Sequence, residues 1–280
     1  MAHPRVPRHA PATLARRARA FAATLAIFAA GTLRAQEAAD PHQVQPERPT
    51  VATHAFTVAR GWAEIETGME LDRLHGAGDA FSTPTNIKIG LARRVQLGIL
   101  GSWVRTSIAD HVGAGPSDLT IAVKWRVADS LPVLGAVAIL PSVKFPTGTV
   151  SAASGTGTTD IGLLLISSHV FGTVSLDANV GYTRRGGDGT TAPRDATLWT
   201  ISTGFPAIGR LAWVAELFGY PGTSGPAGGA PTVAFLTGPT LQLHRWLALD
   251  AGVILPVAGP QARAVYTGGV VNVGKVFGRE

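Results

Sequence analysis

The chain has 280 residues, with 24 Lys+Arg against 18 Asp+Glu, 34 glycines and no cysteine. Six of the bases (Arg5, Arg8, Arg16, Arg17, Arg19 and Arg34) and none of the acids fall in residues 1–35, so the rest of the chain holds 18 of each and its charge argues for no nucleic-acid partner. The missing cysteines exclude a disulfide framework, and no apolar run after residue 35 is long enough for a membrane helix.

Residues 14–20 (LARRARA) are a positive region and 21–33 (FAATLAIFAAGTL) an apolar one too short to span a bilayer. Ala35–Gln36 follows as a cut site, with Leu33 and Ala35 before it. This layout predicts a secretory signal peptide over 1–35, against the competing readings of a transit peptide or a tail. Residues 36–60 contain prolines and no two-residue pattern, which predicts a periplasmic N-terminal tail or short linker.

From Gly61 onward the chain alternates. In GWAEIETGMELDRL (61–74), Ala63, Ile65, Thr67, Met69 and Leu71 fall on one side and Glu64, Glu66, Glu70 and Asp72 on the other. Such a two-residue period belongs to a strand with one greasy and one wet face. Twelve strands are predicted, at about 61–74, 81–91, 95–105, 117–127, 133–145, 159–170, 173–182, 196–205, 211–219, 231–240, 246–255 and 265–277. DLTIAVKWRV (118–127) sets Leu119, Ile121, Val123, Trp125 and Val127 against Asp118, Thr120, Lys124 and Arg126. TVSLDANVGY (173–182) sets Val174, Leu176, Ala178, Val180 and Tyr182 against Ser175, Asp177 and Asn179. Pro84 and Pro141 interrupt runs and predict local kinks, because proline donates nothing to a ladder.

The connections alternate in length as well. Short ones such as 171–172 take turns with long Gly-, Ser-, Thr- and Pro-rich ones: 107–116, 146–157, 183–195, 221–230 and 257–264. An even number of strands with loops long at one end and short at the other predicts an all-β, antiparallel up-and-down outer-membrane β-barrel over 61–280. A soluble β-sandwich also alternates, but does not account for the loop asymmetry. With both termini in the periplasm, Phe81, Trp103, Phe145 and Trp199 mark the outer rim, and Trp125, Phe205 and Phe277 the inner one.

Several segments carry a family likeness. RPTVATHAFTVARGWAEIETG (48–68), ARRVQLGILGSW (92–103), DLTIAVKWRV with LPVLGAVAILPSVKFPTGT (131–149), and GTTDIGLLLISSHVFGTVSLDANVGYT (157–183) together resemble the MetA-pathway of phenol degradation family. The likeness covers nearly all of the chain after the leader. It departs at Thr50, where the family usually has an acid after Arg-Pro. It implies an outer-membrane barrel that transports hydrophobic or aromatic compounds, and it transfers no functional residue.

By parity the lumen wall holds nine acids (Glu64, Glu66, Glu70, Asp72, Asp118, Asp160, Asp177, Glu216, Asp250) and four bases (Lys88, Lys124, Arg126, Lys144). These residues suit either a cation-preferring pore or internal ion pairs filling a narrow barrel. Apolar lumen positions are Leu100, Leu134, Leu140, Leu164, Ile166, Val214, Phe218, Leu236 and Ile254, which point to a conduit for a small hydrophobic solute or to a packed interior. Ser167 and His169 share the lipid face but sit at the periplasmic end without an orienting third group, so no catalytic site is expected. The histidines lack ligand spacing, and neither metal nor cofactor is expected. The expected partners are outer-membrane lipids, lipopolysaccharide (Arg184, Arg185 and Arg194 share one outer loop) and the solute; no oligomeric state follows. The competing functional readings are a structural or adhesive barrel and a lipid hydrolase.

Overall fold

In hydrocarbon a strand must pair both of its edges, because no water is there to take an unpaired N–H or C=O. The computed structural model describes residues 40–74, 78–108 and 111–278; the expected signal peptide lies outside the described residues. The strands are β1 (Trp62–Leu74), β2 (Gly78–Ala92), β3 (Val95–Ile108), β4 (His111–Pro116), β5 (Leu119–Leu131), β6 (Gly135–Phe145) and β7 (Asp160–Phe171). They continue as β8 (Val174–Arg185), β9 (Asp195–Ile208), β10 (Leu211–Tyr220), β11 (Thr232–His244), β12 (Leu247–Ala258) and β13 (Arg263–Lys275). Neighbours pair antiparallel, and β1 pairs β13 from Trp62↔Lys275 to Arg73↔Arg263, so the sheet closes on itself.

β4 and β5 are two halves of one barrel strand. β4 pairs residues 103–108 of β3, and β5 pairs residues 95–100. The barrel therefore has twelve strands. The loop expected over 107–116 is mostly strand instead, with the break at Ser117 and Asp118. Gly113, Ala114 and Gly115 conceal it, since a hairpin extending past the lipid needs no apolar face to pair.

Each interrupting proline keeps one ladder and breaks the other. Pro84 pairs with Ser102 of β3, while the β1–β2 register skips from Thr67↔Thr85 to Glu70↔Ser82. Pro141 pairs with Leu163 of β7, while the β5–β6 register skips from Ala122↔Ser142 to Trp125↔Ile139. An imide nitrogen has no proton to donate, so the strand survives through its other neighbour.

Connections at one end span 93–94, 132–134, 172–173, 209–210 and 245–246; those at the other include 146–159, 186–194 and 221–231. Short turns belong to the periplasmic side. Met69, Trp103 and Val265 are 57%, 52% and 54% exposed, and Ile161, Leu163, Leu165, Ile201 and Leu217 join them on the outer surface. A continuous apolar belt of this kind fits lipid, not water. Trp125 and Phe205 stand exposed toward its inner edge and Trp103 and Phe145 toward its outer edge.

The buried core lies inside the barrel. Phe218, Leu236, Ile254, Ala264 and Tyr266 form one cluster, against which Val51 packs. Ala136, Ala138 and Ile166 form another with Ala55 and Phe56. Val51, Ala55 and Phe56 belong to the segment expected as a periplasmic tail. That expectation is corrected: residues 44–58 run inside the lumen, with Val44, Ala52, Ala55 and Val58 buried. Leu134, expected in the lumen, is corrected too; it lies in the turn before β6 and is half exposed.

Candidate functional site

The site is the lumen, filled in its periplasmic half by residues 44–58, here called the plug. Pro46 and Pro49 keep this segment from regular structure, so its N–H groups need acceptors from elsewhere. The wall supplies them at successive lumen positions. Gln45 N donates to Glu64 Oε1 at 2.9 Å and Glu47 N to Glu66 Oε1 at 2.7 Å. Val51 N and Ala52 N donate to the two oxygens of Glu216, at 2.8 and 2.7 Å. Thr53 N donates to Asn179 Oδ1 at 2.7 Å, Ala55 N to Ser168 Oγ at 2.8 Å, and Val58 N to Gln96 Oε1 at 2.9 Å. The plug thus meets β1, β10, β8, β7 and β3 in turn before entering β1 at Trp62.

Charges are matched across this contact. The fully buried Lys88 ammonium lies 3.0 Å from Glu64 and 2.8 Å from Glu66, and it also donates to the carbonyl of Gln45. Lys124 pairs with Glu47 of the plug, and its remaining protons go to Thr53 Oγ1 at 3.0 Å and the carbonyl of His54 at 2.8 Å. Arg126 pairs with Asp129 at 3.2 Å and lies over the ring of Phe56. Arg48 of the plug forks onto Asp250, with Nη2 at 3.2 Å and Nε at 3.3 Å. A buried charge left alone is costly, and each of these has a counterion.

A second cluster stands at the outer rim. Lys144 lies 2.7 Å from Asp118 and 3.0 Å from Asp160. Asp118, in the break between β4 and β5, also accepts from Gly148 N and Thr156 N, both at 3.0 Å, and so ties down the 146–159 loop. Burial works against its charge, but the Lys144 ammonium and these two N–H groups outweigh it and hold the carboxyl below its ordinary value.

The remaining expected lumen residues have other surroundings. Asp177 accepts from Ser168 Oγ. Phe218 is buried in the cluster with Leu236 and Tyr266. Glu70 and Asp72 lie farther out along β1 and form no ion pair among the described residues. Ser167 and His169 do not engage one another: Ser167 Oγ donates to the carbonyl of Leu134 at 2.6 Å, and His169 stacks on Phe171. Missed from sequence were Glu47, Arg48, Gln96, Ser168 and Asn272, whose amide donates to the carbonyl of Pro41 at 3.2 Å, while Asn179 was placed on the wet face of its strand without a role. Polar residues at lumen parity, and the Arg-Pro pair inside the tail, were the available signals.

On the outer side of the plug a cavity of about 320 Å³ is walled in part by Val51, Leu100, Leu140 and Leu164, with the polar Glu66 and Asn86 also on its wall. On the periplasmic side a cavity of about 350 Å³ is walled in part by Pro46, Ser175, Val214 and Ala248. The closed sheet, lipid-facing belt and inwardly turned polar residues define an outer-membrane β-barrel with a plugged lumen.

This chain is similar in fold to an outer-membrane channel from Pseudomonas putida F1, with a TM-score of 0.62 at 12% identity over 77% of this chain and 97% of that chain. The NanC porin is similar at a TM-score of 0.49 and 10% identity, over 75% of this chain and 98% of that one. The CymD monoaromatic hydrocarbon channel is similar at 0.48 and 8% identity, over 78% and 90%. No protein-family model and no curated relative matches the chain.

Proposed function

We propose that this barrel is an outer-membrane channel for the passive uptake of small hydrophobic compounds, aromatic ones among them. The observation that carries the reading is the cavity of about 320 Å³ on the outer side of the plug, whose wall includes Val51, Leu100, Leu140 and Leu164. A general porin lumen is water-filled and polar. Here Val51, Leu100, Leu140 and Leu164 share the wall of the approach to the plug with a few polar groups, and the cavity's volume sits at the lower end of the about 300–1,000 Å³ usual for small-molecule sites. The fold likeness to the Pseudomonas putida channel and the segments that resemble the phenol-degradation family support the same reading.

Passage then requires at least part of the plug to yield, because the plug fills the periplasmic half and the ion pairs of Lys88, Lys124 and Arg48 hold it there. Uptake of aromatic solutes is to be compared between cells, or vesicles, with and without the barrel. Faster entry with the barrel is expected; equal rates refute the reading. The filled lumen favours one other reading, a structural barrel that never opens, and equal rates together with silence in planar bilayers would select it.

A further inference from the structure

Arg48 lines three cavities: the outer one, the periplasmic one, and a third of about 180 Å³ bordered by Pro46, His54 and Asp177. Its guanidinium lies where the wall has no side chains of its own. Gly68 of β1 and Gly268 of β13 face each other in register, and Asp250 of β12 is the next residue in that row. A Cβ on Gly68 would come within 2.5 Å of Arg48 Nη2, and one on Gly268 within 2.7 Å. The two glycines therefore form a slot, and one side chain from the plug fills it. Each glycine also lies close against its neighbouring strand, a Cβ on Gly68 coming within 2.5 Å of the Thr267 carbonyl oxygen and one on Gly268 within 2.5 Å of that of Thr67.

The backbone of the plug is anchored on both sides of this point without help from Arg48. Glu66 holds the N–H of Glu47, and Glu216 holds those of Val51 and Ala52. Moving the Arg48 side chain leaves these anchors in place. Among the described residues, the fork onto Asp250 and a 3.5 Å contact of Nη2 with the carbonyl of Thr267 are the hydrogen bonds that hold the side chain where it is.

We propose that Arg48 is the gate and the selectivity-determining residue of the conduit. When its guanidinium leaves Asp250, the slot over Gly68 and Gly268 joins the outer and periplasmic cavities while the rest of the plug stays put. The paired constriction has no net charge and so admits uncharged solutes. Breaking either half leaves the other half's charge in the path. This inference rests on the channel reading above.

The test is conductance and reversal potential of the purified full-length barrel in planar bilayers under a KCl gradient, with heat-modifiable gel migration confirming that each variant is folded. Arg48→Ala is expected to raise the open fraction about tenfold or more, the change that about 1.4 kcal/mol of latch would hold back. It should also favour cations, since Asp250 is left uncovered. Asp250→Asn should open the path similarly but shift selectivity toward anions. The exchanged pair, Arg48→Asp with Asp250→Arg, should return both readings toward wild type. A plug that merely packed would not reverse ion preference between the two single variants. Wild-type behaviour of Arg48→Ala, alongside conduction by a barrel whose residues 46–56 are replaced by a Gly/Ser linker, overturns the gate and leaves the channel reading standing. Silence of both, with no acceleration of aromatic uptake, overturns the channel reading itself.

Discussion

Replacing Glu216 with alanine removes the acceptor of two plug N–H groups at once. Val51 N and Ala52 N lie 2.8 and 2.7 Å from its two oxygens, and both bonds run between β10 and a segment more than 160 residues earlier in the chain. A buried N–H left without its acceptor costs about 1–3 kcal/mol, so the pair is worth about 2–6 kcal/mol in a dry site. Water entering the space left by the carboxylate offsets part of this, which leaves about 2–3 kcal/mol. The loss falls on local opening of the plug, since the pairing of β10 with β9 and β11 does not involve this side chain. At 1.4 kcal/mol per factor of ten, amides near residues 50–53 should exchange about 30- to 150-fold faster. Hydrogen exchange read by mass spectrometry in detergent micelles measures this. The amide of Val44, which donates to the carbonyl of Arg245, serves as the internal reference. Unchanged exchange over 48–56 in a folded Glu216→Ala barrel would refute the idea that wall acceptors hold the plug.

Lys124→Met leaves the Glu47 carboxylate buried without its cation, a change that costs about 3–5 kcal/mol. The midpoint of thermal conversion from folded to unfolded gel mobility should fall, and an unchanged midpoint would count against the pair. Phe218→Ala empties the centre of the cluster of Leu236, Ile254 and Tyr266, at a cost of about 3–5 kcal/mol that the same assay reads. The outer loop should respond to pH. The Asp118 carboxyl is held below its ordinary value, so its stabilisation is complete above the normal carboxylate range and is lost as pH falls from there through the lowered value. Proteolysis within 146–159 should therefore speed up on acidification, and Asp118→Asn should be fast at every pH; faster cleavage on raising the pH would oppose the assignment.

Alternation alone made the barrel legible. Ile65, Met69 and Leu71 had to part from Glu64, Glu66 and Glu70, because a period of two admits no other arrangement in a strand. Loop lengths then oriented the barrel, and ring positions such as Trp103 and Trp125 marked its two edges. Residues 107–116 were less legible, since a hairpin outside the lipid is under no demand to alternate.

What residues 40–60 do could not be read in this way. The segment has no period, and its prolines read as a linker. Its N–H groups find Glu64, Glu216, Asn179, Ser168 and Gln96, which lie between 19 and 165 residues away in the chain. Such partners meet only once β1 has closed onto β13 and the lumen exists to be filled. Parity told which side chains point inward; which of them pair with one another and which hold the plug was decided by the closed barrel. An acceptor on a lumen wall acquires its donor from three-dimensional proximity, and local sequence carries no record of that.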